Sequence, residues 1–200
     1  KRFEKQSVHD ELTGLYNRRF LWEYLESELL KASREQYSVV CTVYDLDHFK
    51  LVNDELGHKA GDEVLLSFVD VLKKTLRVGD KVFRYGGEEF ITISSHTKAN
   101  QAGALATRVC AKMRAQTKHG SVKRVVTCSA GFEIAVPRFS KLIKAEVLVK
   151  HADDALYLAK ETGRDKVCGY DEVKLLSTQE DKIDLVNFDQ IKQLIPDNVG

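Results

Sequence analysis

No apolar run in this 200-residue chain approaches the roughly 20 residues that a membrane helix needs, so no membrane contact is expected of the segment. No signal peptide is visible either. The chain begins with Lys1 rather than Met, which fits a segment excised from a larger protein. There is no cysteine framework. Cys41, Cys110, Cys128 and Cys168 are scattered without a CxxC pair, and three of them lie in apolar runs. They read as small core residues in a reducing compartment, which points to the cytoplasm. The six histidines show no zinc-type spacing. Charge of one sign is lacking too. A formal net charge of +1 argues against a broad nucleic-acid surface and leaves room for a local cationic pocket. No internal repeat or low-complexity segment appears.

What is present is a globular composition, 43% apolar and 30% charged, long enough for one domain with a sizeable core or a domain plus an appendage. Residues 1–9 are polar and fit the end of an upstream linker helix. Phe20, Leu21, Tyr24, Leu25, Glu28 and Leu29 follow the three-four spacing of an amphipathic helix. Val39 to Tyr44 is a β-branched strand that ends at Asp45. His48 to Gly61 reads as a loop, Asp62 as the N-cap of the next helix, and Gly79 as its C-cap. Val82 to Tyr85 and Phe90 to Ser94 flank Gly86-Gly87 as a hairpin. Residues 99–117 read as helix, Val122 to Ala135 as a strand with a bulge at Gly131, Ala145 to Lys160 as helix ended by Gly163, and Lys166 to Tyr170 as a last strand. The order predicts an α/β (α+β) layer architecture, a sheet with helices packed over it. Residues 171–200 carry a weak apolar spacing at Ile183, Val186, Ile191 and Leu194. They fit a docked helix, a linker, or the start of a further segment.

Carboxylates collect at strand ends. Asp45 and Asp47 close one apolar run, and Glu88 and Glu89 follow the Gly-Gly turn. Acids gathered from separate strand ends bind hard divalent cations, and such cations bind phosphates. Strand alternation lets only one of two consecutive side chains face a given side, so Asp45 and one of the two glutamates are expected to converge. For any single acid, a solvated loop position is the simpler meaning.

The motifs Asp10-Glu11-Leu12-Thr13-Gly14-Leu15, Asn17-Arg18-Arg19, Asp45-Leu46-Asp47-His48-Phe49-Lys50, Asn53-Asp54, Gly57-His58, Gly61-Asp62 and Arg84-Tyr85-Gly86-Gly87-Glu88-Glu89-Phe90 occur in that order. Ser129-Ala130-Gly131, Ala152-Asp153, Ala155-Leu156-Tyr157, Ala159-Lys160 and Gly163-Arg164 follow. Together they resemble the GGDEF family of diguanylate cyclases over residues 10–170, which would be the catalytic domain.

The resemblance implies a nucleotidyl-cyclase or polymerase-palm-like, ferredoxin-type fold with a central, mainly antiparallel sheet. It implies condensation of two GTP into cyclic di-GMP, with Asp45, Glu88 and the Leu46 carbonyl as ligands for Mg2+ or Mn2+. Glu89 is assigned a metal contact or help in deprotonation. It assigns Asn53 and Asp62 to guanine, where a carboxylate accepts from N1–H and the amino group together. It assigns Lys50, Lys160 and Arg164, with the His48 and Phe49 loop amides, to phosphates. Arg77-Val78-Gly79-Asp80 matches the family's RxxD inhibitory motif, with Arg108 as a further product contact. Simpler meanings stand beside these: Asp62 as a helix cap, and the tetrapeptide as a helix ending with a turn Asp. One chain offers one GTP site and the product needs two GTP, so a homodimer is implied, as is an upstream sensor or regulatory domain. Three departures are notable: Glu88 for the usual Asp, Ala130 for Ile, and Asp165 for Asn, the last adding negative charge near the phosphate site. The alternatives are a catalytically weak module that binds GTP or cyclic di-GMP, or a cyclase of other base preference. A template-directed polymerase is disfavoured by size and charge.

Overall fold

The computed structural model describes residues 7–137 and 143–180. Its elements run β1 (Tyr16–Asn17), α1 (Arg18–Glu35), β2 (Val39–Leu46), α2 (Phe49–Leu56), α3 (His58–Thr75), β3 (Lys81–Arg84) and β4 (Glu89–Ser95). A 3-10 turn (Ala99–Gln101), α4 (Ala104–Arg114), β5 (Cys128–Ala135), α5 (Ala145–Glu161), β6 (Val167–Gly169) and α6 (Tyr170–Glu180) follow. The sheet order is β1-β3-β4-β2-β5-β6. The four central strands pair antiparallel, whereas β1 with β3 and β5 with β6 pair parallel at the edges. The unit β2-α2/α3-β3-β4-α4-β5 has the βαββαβ connectivity of ferredoxin-type folds.

β2 is buried at every position, as a central strand covered on both faces must be. Its alternation divides the core. Tyr44 and Leu46 join Phe68, Leu72, Phe90 and Val109 under α2, α3 and α4. Val39, Cys41 and Val43 join Leu21, Leu25, Ile91, Ile93 and Leu148 under α1 and α5. Asp45 continues the second set, so it emerges on the α1/α5 side. All four cysteines are free and buried, including the one that lay outside an apolar run. Among the described residues no helix is long and apolar enough to cross a membrane.

Several expectations need correction. The stretch His48 to Gly61 is not a loop but α2 and the first turn of α3. Asp62 is therefore a residue within α3, and Gly57 is the N-cap. Helix α3 is capped at Leu76, whose N–H donates to the Leu72 carbonyl at 2.9 Å, and Gly79 lies in the turn beyond it. Residues 99–117 divide into the 3-10 turn and α4. Of Val122 to Ala135 only Cys128 onward is strand; Val122 and Val126 are buried as loop anchors. Gly131 is in register opposite Val43, without a bulge. A Cβ there would lie 2.0 Å from the Leu156 nitrogen and 2.2 Å from the Ala152 oxygen, so glycine is what lets α5 lie directly on the sheet. The last strand is Val167–Gly169, and Tyr170 opens α6, whose Val173 packs with Ala155, Leu158 and Cys168. Of residues 171–200, the docked-helix reading fits as far as Glu180. The apolar spacing from Ile183 to Leu194, and residues 1–6 of the upstream segment, lie outside the described residues.

Candidate active site

Register brings the acids together. Asp45 stands opposite Glu89 on β4 and opposite Ser129 on β5. Glu89 is thus the glutamate that alternation aligns with Asp45, as directly opposed residues share a face. Glu88 precedes the first residue of β4, where alternation no longer binds it, and its carboxyl also lies within the field of Asp45. Burial pushes the Asp45 carboxyl up, Asp47 adds to this, and Lys160 and Arg164 oppose it without cancelling it. Burial and then the Asp45 charge push Glu88 up. Burial, Asp45 and Asp153 push Glu89 up, against Lys160 and Arg18. Crowded acids of this kind favour a cation. A cation is already there: Lys160 Nζ lies 2.7 Å from Asp45 Oδ2. Hard oxygen donors of this type suit Mg2+ or Mn2+. Among the described residues, however, no group of three or more His, Cys, Asp or Glu side chains is ready-made to hold a metal.

Asp47 is not one of the converging acids. It is 4% exposed and accepts from Ser129 Oγ and Thr127 Oγ1, each at 2.7 Å, and from the Asp165 N–H at 3.1 Å. It ties β2 to β5 and to the turn after α5.

The Gly-Gly turn is held by Arg84, to which the sequence reading gave no role. Its Nε donates to the Gly86 carbonyl at 3.2 Å and its Nη2 to the Gly87 carbonyl at 2.8 Å. Its Nη1 donates to both Asp10 oxygens, at 3.0 and 3.2 Å. Burial pushes the Asp10 carboxyl up, but bonds from the Thr13 hydroxyl and N–H, with Arg84, hold it below its ordinary value. The turn-rich Asp10-to-Leu15 motif is thereby the mooring of the Gly-Gly turn. Asp153 stood within one of the motifs but was given no role; the fold sets its charge near Glu89.

Asn53 and Asp62 come close through Gly61. A Cβ on Gly61 would lie 2.0 Å from Asn53 Oδ1, so the missing side chain makes room for the Asn53 amide one residue from the exposed Asp62. His48 has left-handed backbone, φ 57°, at the start of α2, and is exposed like Lys50. The first N–H groups of α2 have no partner within the helix, a setting that favours anions. The Phe49 ring is core, 5% exposed, so only its backbone is available to a ligand. Arg164 is exposed just beyond α5.

Arg77, Asp80 and Arg108 line one hollow of about 140 Å3 with Val40, Thr42 and Ser94. The simpler reading of Asp80 also holds, since its Oδ2 accepts from the Arg77 N–H at 2.9 Å. By strand alternation this hollow lies on the α3/α4 side, the opposite face from Asp45 and Glu89. A mostly apolar hollow of about 530 Å3 between α1, the end of β5 and the start of α5 contains none of the site residues.

The profile of the diguanylate cyclase GGDEF domain matches residues 7–166. The diguanylate cyclase DgcS of Shewanella oneidensis is 39% identical over 160 residues, 80% of this chain and 51% of the relative. The chain thus spans about half of that relative's length. Among solved structures, the GGDEF domain of DgcB from Caulobacter crescentus in complex with c-di-GMP superimposes with a TM-score of 0.76 at 27% identity, covering 85% of this chain and 97% of that one. The active GGEEF domain of a diguanylate cyclase from Vibrio cholerae gives 0.71 at 29% identity, over 77% and 96%.

Proposed function

The chain belongs to the GGDEF family of diguanylate cyclases, and from that premise we propose that it condenses two GTP into cyclic di-GMP and releases two pyrophosphates. The observation that carries this reading is the crowding of Asp45, Glu88 and Glu89, whose carboxyls are pushed upward by burial and by mutual repulsion. Asp45, Glu88 and the Leu46 carbonyl would hold Mg2+ or Mn2+. When bound, the cation offsets charge on the α-phosphate and leaving pyrophosphate and acidifies the attacking 3′-hydroxyl.

The chain's own residues do the rest. Asp62, with Asn53, reads guanine by accepting from N1–H and the amino group, a donor pair adenine lacks. The first amides of α2, Lys50, Lys160 and Arg164 hold the phosphates. Glu89, beside Asp45, makes a metal contact or takes up the proton of the ribose hydroxyl. Two chains face each other, since one chain offers one GTP and the product needs two. An upstream sensor or regulatory domain would govern that encounter. Product binds Arg77, Asp80 and Arg108 and inhibits. Use of GTP, with four free buried cysteines, fits a cytoplasmic setting.

A second reading is a catalytically weak module that binds GTP or cyclic di-GMP and signals by conformation. One observation favours it: the hollow lined by Arg77, Asp80 and Arg108 lies on the face away from the acids and does not depend on them. The test is Asp45→Ala and Glu88→Ala, each assayed for product with Mg2+. Loss of turnover with the fold retained supports the enzyme; near-wild-type rates in either variant refute the metal assignment.

A further inference from the structure

The turn after α5 holds two consecutive non-glycine residues in left-handed backbone, Arg164 at φ 57° and Asp165 at φ 50°, following Gly163 at φ 114°. Such backbone is strained and persists only where its surroundings over-determine it. The Arg164 N–H donates to the Ala159 carbonyl at 3.0 Å, and the Ala130 N–H to the Lys166 carbonyl at 2.9 Å. The Asp165 N–H donates to Asp47 Oδ2 and to Ser129 Oγ, both at 3.1 Å. From the other side comes Arg114, the last residue of α4. Its Nε donates to Asp165 Oδ2 at 2.5 Å and its Nη2 to the Asp165 carbonyl at 2.9 Å. The remaining carboxylate oxygen, Asp165 Oδ1, is buried without a hydrogen-bond partner.

We propose that Arg114 and Asp47 are positioning residues for nucleotide binding, a clasp that closes on this turn from two sides so that Arg164 presents its guanidinium to the triphosphate. Arg114 has a second task. The carboxylate of Asp165 stands one residue from a phosphate-binding arginine, and Arg114 neutralises it. The inference deepens the reading of Arg164 as a phosphate contact and rests on it. Asp47 acts on the backbone, whereas Arg114 acts on backbone and charge together. The Arg114 and Asp165 side chains are 52% and 30% exposed, so solvent screens the charge effect and keeps it modest.

The test uses the full chain with initial rates of pyrophosphate release against GTP at saturating Mg2+. Arg164→Ala should raise KM. Arg114→Ala should raise KM by roughly three- to tenfold, with kcat within about twofold and a melting temperature lowered by no more than about 4 °C. Adding Asp165→Asn to Arg114→Ala removes the stranded anion and should recover part of the rise in KM, the share due to charge, while the share due to the lost Arg114 bond to the Asp165 carbonyl remains. A residue that merely supported the fold would show no such rescue. The same order is expected in the Kd of a non-hydrolysable GTP analogue, so the clasp is read out independently of turnover. If Arg164→Ala leaves KM and Kd unchanged, the phosphate reading fails and the clasp with it. If Arg164→Ala weakens binding but Arg114→Ala does not, or Asp165→Asn fails to rescue, the clasp is overturned and the phosphate reading stands.

Discussion

Arg84 offers a sharp perturbation because one guanidinium holds three things: the Asp10 carboxylate, the Gly86 carbonyl and the Gly87 carbonyl. The side chains of the pair are 16% and 23% exposed, between a surface pair and a buried one. Surface pairs are worth about 0–1 kcal/mol, and breaking a buried pair costs about 3–5 kcal/mol. Arg84→Ala should therefore cost about 2–3 kcal/mol, which lowers the melting temperature by about 4–12 °C for a domain of this size. Arg84→Lys keeps the charge, but an ammonium cannot span a carboxylate and two carbonyls, so it should lose about 1–2 kcal/mol. Function should suffer more than stability. Glu88 follows Gly87 directly, and a misplacement of about 1 Å at a reacting centre can cost about a hundredfold. Both variants should lose at least about tenfold in kcat at temperatures where they remain folded. Thermal melts and initial rates on the same preparations check this. An Arg84→Ala protein that melts within about 2 °C of the original and turns over at the original rate would show that the turn is held by other contacts.

Three further outcomes are expected. Asp62→Ser should relax the preference for GTP over ATP, and because Asp62 is not a helix cap its effect on stability should stay within about 0.5 kcal/mol; unchanged selectivity in competition assays would place base reading elsewhere. Arg77→Ala should raise the cyclic di-GMP concentration needed for inhibition by about ten- to a hundredfold, from a lost guanine contact of about 1–3 kcal/mol, with the initial rate preserved; identical inhibition curves would reduce the tetrapeptide to a turn. Burial and the Asp45 charge raise the folded-state pKa of Glu88, so its charge opposes folding at neutral pH, and that penalty fades as pH falls through the raised value toward the ordinary one. Glu88→Gln should therefore raise the melting temperature of the metal-free protein at pH 7 and lose that advantage on acidification, whereas a melting temperature lowered at pH 7 would contradict the crowding.

A continuous β-branched apolar run made β2 legible and the Gly-Gly turn made β3 and β4 legible, and with them the placement of Asp45 opposite a glutamate. The ordered motifs conveyed the family and the ferredoxin-type sheet. What stayed hidden had physical causes. Gly57 and Gly61 made α2 and the start of α3 read as loop, yet Gly61 is glycine because the Asn53 amide occupies the space of a side chain. Gly131 suggested a bulge, whereas its cause is a helix backbone from another part of the chain. The β-branched run from Val122 mimicked a strand but supplies buried loop anchors. Arg84 and Arg114 had no visible role because their carboxylate partners, Asp10 and Asp165, lie 74 and 51 residues away, and an arginine's meaning is set by what it reaches.

The central claim is catalysis. It is tested most directly by incubating the purified chain with GTP and Mg2+ over a range of protein concentrations and identifying the product. The account predicts cyclic di-GMP and two equivalents of pyrophosphate, with a specific rate that rises with protein concentration as paired sites form. No cyclic di-GMP at high concentration, even with two copies forced together by a fused coiled coil, would contradict it.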